Sequence, residues 1–119
     1  MSGLEEKRCL PCEGIGKALD NNAVQTLLKQ LAAGWQVSSD NKSIHKDFHF
    51  RNYYQTMSFV NAIAWMANTE NHHPDLEVGY NHCLVRYTTH AFGGLSENDF
   101  ICAKKVDGII EPYENKRNA

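Results

Sequence analysis

Three of the six histidines fall in two short stretches, Thr69-Glu70-Asn71-His72-His73-Pro74-Asp75 and Thr88-Thr89-His90. Imidazole is the side chain that titrates nearest neutral pH, so a cluster of them suits proton transfer, metal binding or anion binding. His72 and His73 stand at the end of a helical pattern, where adjacent side chains point in different directions, so they do not grip one ion together. A cationic histidine is also favoured at a helix C-terminus without any chemistry. What favours a site is His90, because a strand beside that helix end would bring a third imidazole to the same polar crease. Asp99 follows Ser96 by three residues, the spacing of a capping box, which accounts for the carboxylate structurally and still lets it orient an imidazole.

Metal binding has a weaker case. Cys9-x-x-Cys12 has the spacing of half a zinc site. However, Cys83 and Cys102 lie far away in periodic apolar patterns and read as small buried hydrophobes. A thioredoxin-like dithiol belongs near a strand and helix pattern, and this pair follows residues with none. No metal is assigned. His45, His49, His82 and Arg86 fall on the exposed parity of strand patterns and face solvent or a subunit contact. Trp35 and Trp65 occupy periodic positions and read as core.

The elements that must position the histidines are legible in order. Residues 1–19 carry Pro11, Gly14 and Gly16 without periodicity and read as a loop or arm packed on the body. Asn22 and Gln25 open an amphipathic helix over about 22–33, stopped by Gly34. Residues 35–39 and 44–50 form a hairpin around Ser39-Asp40-Asn41-Lys42, with Ile44, Phe48 and Phe50 inward. Lys46 shares that apolar parity, which an edge location or a snorkelling stem would absorb. From about Arg51 the period becomes helical, with Tyr53, Met57, Val60, Ala64 and Ala67 as one stripe, widened by Phe59, Ile63 and Met66. This is the longest and most apolar helix pattern, expected at the core's centre and ended before Pro74.

A second hairpin follows. Leu76, Val78 and Tyr80 alternate, a turn comes near Tyr80-Asn81, and then Cys83, Val85, Tyr87 and Thr89 share one face. Leu84, Arg86, Thr88 and His90 share the other. Ser96 and Asp99 open a last helix running to about Ile109, with Leu95 and Phe100 as a hydrophobic staple. The expected fold is α+β, with order α-β-β-α-β-β-α: a four-stranded antiparallel sheet with three helices packed on one face. Its boundaries are an arm at 1–19, one domain at 20–112 and a polar, frayed tail at 113–119.

Composition narrows the function. A chain of 119 residues with 42% hydrophobic and 22% charged content is a globular domain, able to bury roughly 65% of its unfolded surface without disulfides or metal. The formal charge of -2 and small basic clusters, Lys104-Lys105 and Lys116-Arg117, give no basic stripe for nucleic acid. No apolar run reaches the roughly 20 residues of a membrane span. The N-terminus has no secretory pattern, so a cytoplasmic location with free thiols is expected.

Taken together, Asn71-His72-His73-Pro74-Asp75, Tyr80-Asn81, Thr88-Thr89-His90 and Gly94-Leu95-Ser96-Glu97-Asn98-Asp99 resemble the signature of the pterin-4a-carbinolamine dehydratases, over about residues 22–110. The resemblance implies dehydration of 4a-hydroxytetrahydropterin to quinonoid dihydropterin, with no metal or organic cofactor, by a homotetramer or homodimer. It also implies that His72, His73 and His90 are the active-site imidazoles, with Asp99 the carboxylate near the last of them. On that footing His72 and His90 exchange protons with the hydroxyl and N5, and Asp99 fixes the tautomer or charge of His90. Asn71, Pro74 and Thr89 join His73 in binding the pterin. The family often has an acid four residues before the first histidine; here Asn68 stands there and Glu70 lies two residues later, so both are assigned supporting roles. A non-enzymatic protein-interaction module is the alternative, since some members of the family also act as dimerisation partners of a transcription factor.

Overall fold

The computed structural model describes residues 3–10 and 17–118. Helix α1 (Asn21–Leu28) leads to strands β1 (Gln36–Val37) and β2 (Ile44–His49), helix α2 (Tyr53–Glu70), strands β3 (Asp75–Val78) and β4 (His82–Tyr87), and helix α3 (Glu97–Asn118). The four strands form one antiparallel sheet in the order β1-β2-β4-β3. This is the expected α+β fold. Short 3-10 turns at Leu4–Glu6 and His90–Phe92 supplement it.

Strand alternation gives the sheet one apolar face. Ile44, Phe48, Cys83, Val85 and Tyr87 are buried on it. The opposite parity is polar apart from Leu84, with His82 bonded to Asp47 at 3.1 Å and Arg86 to Glu77 at 3.2 Å. Lys46 breaks the pattern without cost, because its ammonium reaches the Ala33 carbonyl at 2.7 Å and lies over the Phe48 ring. Trp35 is buried as its pattern implies, and its indole N–H donates to Asp107, which also accepts from the Ala32 N–H.

The helices depart from expectation in instructive ways. Asp20, rather than Asn22, caps α1 by accepting from the Ala23 N–H, and the helix ends at Leu28. In α2 the buried stripe is Thr56, Phe59, Ile63, Ala67 and Glu70. Tyr53 and Ala64, placed inward by the sequence pattern, are exposed. Trp65, read as core, is 79% exposed; two residues beyond Ile63 is about 200° around a helix, on the opposite face. Apolar residues occur on several faces of α2, so periodicity alone could not choose among them.

Helix α3, not α2, is the longest. It continues through Pro112 to Asn118, past the tail boundary read at 113. Pro112 is exposed, and after it Tyr113 packs on Phe50 with ring centroids 5.6 Å apart and donates its hydroxyl to Gln55 at 3.1 Å. Those contacts offset the hydrogen bond the proline cannot make.

The described part of the arm lies on the helices. Leu4 is buried in the core. Arg8 pairs with Glu70 at 2.7 Å, and the Cys9 N–H donates to the same carboxylate at 2.8 Å. Pro11, Cys12, Gly14 and Gly16 lie outside the described residues, so the second half of the Cys9-x-x-Cys12 motif does too.

Candidate active site

The end of α2 and the start of α3 meet under the end of β4. Asn71 closes α2 in the left-handed conformation at φ 53°, which asparagine tolerates better than most residues. The Asn71 and His72 N–H groups both return to the Ala67 carbonyl. That reversal turns His72 back towards the body, and Pro74 directs the chain into β3.

His72 Nε2 lies 2.6 Å from Asp99 Oδ1. The imidazole also stacks on the buried Tyr87 ring, with centroids 5.6 Å apart and planes 8° from parallel. Asp99 itself has no exposed surface. Its Oδ2 accepts from Thr89 Oγ1 at 2.8 Å and from the Ser96 N–H at 2.9 Å. Because the Thr89 proton is committed to Asp99, the 2.7 Å contact between Thr89 and Ser96 hydroxyls has Ser96 as donor. A carboxylate so loaded accepts on its other oxygen as well, so His72 donates Nε2–H and is left with Nδ1 as its available nitrogen.

Half of the expected capping box is therefore present. Asp99 reaches back to the Ser96 N–H, while the Ser96 hydroxyl turns to Thr89. Leu95 and Phe100 flank this joint, both fully buried. The structure also corrects the sequence-based pairing: Asp99 holds His72, not His90. The reason is geometric, since α3 begins against the end of α2, whereas His90 leaves the sheet in a 3-10 turn.

The other assigned residues separate into three groups. His73 is exposed, and its Nε2 is 3.0 Å from Asn68 Oδ1, an i to i+5 contact across the helix end. Glu70 points away from the imidazoles into the arm, with Arg8 and the Cys9 N–H on its carboxylate and Lys105 at 4.0 Å. Burial works to raise its pKa, but the Cys9 N–H, Lys105 and Arg8 outweigh it and hold the carboxyl below its ordinary value. His90 is exposed and forms no side-chain hydrogen bond or ion pair among the described residues. Its neighbour Thr89 is tied to Asp99, which keeps this stretch of chain beside the group.

Tyr87 and Ser96 were missed by sequence reading. Both sit where strand periodicity and capping already explain them, so only tertiary contact reveals their link to His72. Burial, then the adjacent Cys102 thiol, pushes the Tyr87 hydroxyl's pKa up, so this ring stays neutral under His72. Among the described residues no group of three or more His, Cys, Asp or Glu side chains is placed to hold a metal ion. None of their helices is long and apolar enough to cross a membrane.

The family profile described as pterin 4 alpha carbinolamine dehydratase matches residues 17–109. The chain belongs to the pterin-4a-carbinolamine dehydratase family. Relatives carrying that enzyme's name, provisionally, include a Legionella pneumophila protein, 57% identical over 109 residues that span 92% of this chain and 96% of its own. One from Nitrosomonas europaea is 60% identical over 108 residues, 91% of this chain and 94% of its own. Among solved structures, a transcriptional coactivator/pterin dehydratase from Brucella melitensis superposes with a TM-score of 0.74 at 28% identity, over 78% of this chain and 98% of its own. A pterin dehydratase-like protein identified as a RuBisCO assembly factor shares the fold, with a TM-score of 0.56 at 22% identity, over 64% of this chain and 88% of its own. In this chain the fold sets the buried Asp99 against His72 at the junction of α2 and α3.

Proposed function

We propose that this protein dehydrates a 4a-hydroxytetrahydropterin to quinonoid dihydropterin and water, by histidine acid–base catalysis. A pterin-dehydratase type of activity accompanies the family; the reading of the mechanism rests on the 2.6 Å contact between His72 and Asp99. Loss of hydroxide from C4a needs a proton on the departing oxygen, and N5 must give one up. Groups with pKa values near 7 carry such transfers efficiently. In this reading Asp99 fixes the tautomer of His72, whose Nδ1 takes the N5 proton, while His90 protonates the hydroxyl. Thr89 and Ser96 keep Asp99 aligned, so Thr89 acts through the carboxylate rather than on the pterin. His73, oriented by Asn68, binds the pterin with Asn71 and Pro74. No metal or organic cofactor takes part.

The deciding experiment follows dehydration of a freshly generated 4a-carbinolamine by the purified protein. The expected result is strong acceleration over the spontaneous reaction, unaffected by a chelator. No acceleration would leave the protein-interaction reading, and a required stoichiometric metal would contradict the mechanism.

Self-association is part of the same proposal. Tyr54 is 86% exposed and Trp65 79%, and the Tyr53 and Tyr80 rings stack with centroids 6.3 Å apart. Large apolar side chains grouped on a surface mark contact sites. The edge strand β3 offers unpaired backbone groups as well. A homodimer or homotetramer is expected by sedimentation, and Trp65→Lys should lower the assembly state; a monomer at micromolar concentration would refute it.

A further inference from the structure

We infer that Cys9 and Cys102 form a redox-modification site, a dithiol that a peroxide converts to an intrachain disulfide tying the arm to α3. The sulfurs are 3.3 Å apart, in hydrogen-bonding contact. A disulfide needs about 2.05 Å between them, so a shift of little more than an ångström closes the bond. Cys9 lies on non-helical chain, which can supply that shift.

The surroundings hold the two thiols together. The Cys9 N–H is bonded to Glu70 at 2.8 Å, and its thiol faces the Asn98 carbonyl at 3.7 Å. One residue on, Leu10 and the Asn98 amide exchange two hydrogen bonds, at 3.0 and 2.7 Å. Arg8 grips Glu70 from the other side. The thiol is thus fixed against α3 by contacts before and after it. These clamps act on the last residue of α2 and on the neighbour of Asp99. Neither thiol is hydrogen-bonded to His72 or Asp99, although Cys102 lies beside the Tyr87 hydroxyl, and Cys9 precedes the family match, which begins at residue 17.

The two sulfurs have different roles. Cys9 is partly exposed and meets the oxidant, whereas Cys102 is buried. The hydrogen bond with Cys9, then burial, pushes the Cys102 thiol up, which keeps it from meeting the oxidant first; oxidation of Cys9 removes the first of those causes before Cys102 attacks. The Cys9 sulfur attacks the peroxide, breaking its O–O bond, and becomes a sulfenic acid as one water leaves. The Cys102 sulfur then attacks that sulfur, the S–O bond breaks, and the hydroxyl departs as a second water with the Cys102 proton. Two thiols are oxidised and one peroxide is reduced.

The test treats reduced full-length protein with hydrogen peroxide, blocks free thiols, and maps cysteine linkages by mass spectrometry beside a thermal melt. The expected product is a Cys9–Cys102 bond within one chain. Because it spans 93 residues of sequence, it should raise Tm by about 10 °C, reversibly with dithiothreitol. Cys12→Ser should still form the bond. Cys9→Ser, a change on the arm rather than in the core, should abolish both the bond and the Tm shift. A Cys9–Cys12 link, a bond between chains, or sulfinic acid at Cys9 with Cys102 unmodified would overturn the inference.

Discussion

Replacing His72 with alanine is expected to lower kcat for carbinolamine dehydration by about 10²–10⁴-fold, the range typical for losing a positioned general acid or base. The effect should fall on kcat more than on KM, because the ring stacks on Tyr87 and is bonded to Asp99 rather than forming an open binding surface. His73→Ala gives the contrast. That imidazole is exposed and, among the described residues, bonded only to Asn68, so its loss should act at least as strongly on substrate or inhibitor affinity. Steady-state kinetics of both variants, with near-ultraviolet circular dichroism to check packing, would decide. Unchanged turnover in His72→Ala would remove the basis of the mechanism.

Asp99 should be costly in two separate ways. Asp99→Ala leaves Ser96 N–H, the Thr89 hydroxyl and His72 Nε2–H without their acceptor around a side chain that itself has no exposed surface. Each buried unsatisfied group costs about 1–3 kcal/mol, with the Thr89 hydroxyl free to turn towards Ser96. A net loss of about 3 kcal/mol, or a Tm drop of about 10 °C, is expected in a thermal melt. Asp99→Asn conserves shape but presents an amide N–H to donors on one side, and on the proposed mechanism it removes the charge that fixes the His72 tautomer. Its activity should fall about 10²-fold or more with a smaller loss of stability. Equal effects of the two changes on Tm, with activity retained in Asp99→Asn, would make Asp99 a helix cap and nothing more.

The carboxylate was only half legible beforehand because its two oxygens face different parts of the chain, one the Ser96 N–H and the other His72. Ser96 and Asp99 have capping-box spacing, a local signal that correctly located the start of α3. Their neighbours Leu95 and Phe100 have the staple spacing and are buried as that motif requires. Local chemistry cannot say where the free carboxylate oxygen points. That depends on the approach of α2 to α3, and so His72 rather than His90 became the partner. The strand pattern likewise placed Tyr87 inward but did not reveal the imidazole stacked on it.

Helix α2 shows the limit most clearly. Strong apolar periodicity located it, and Asn52 caps its start by accepting from the Gln55 N–H. Apolar side chains on more than one face left its rotation undetermined, and packing against the sheet and α3 buried Phe59 and Ile63 while exposing Trp65. Glu70 went the same way. Its nearness in sequence to His72 hinted at the site, but the arm's Arg8 and Cys9 supply its partners.

Alternation, capping residues and turn formers act over a few neighbouring residues, so the amino-acid order alone determined the α+β topology, the two hairpins and the approximate starts of the elements. The spaced histidine motifs in that order also carried the resemblance to the dehydratase family. Only the tertiary structure decided the Asp99–His72 pairing, the inward turn of Glu70, the outward face of α2 and the meeting of Cys9 with Cys102. Those outcomes depend on how separate elements approach one another, and hydrogen-bond donors, carboxylates and thiols far apart in the chain find their partners only when packing brings them within a few ångströms.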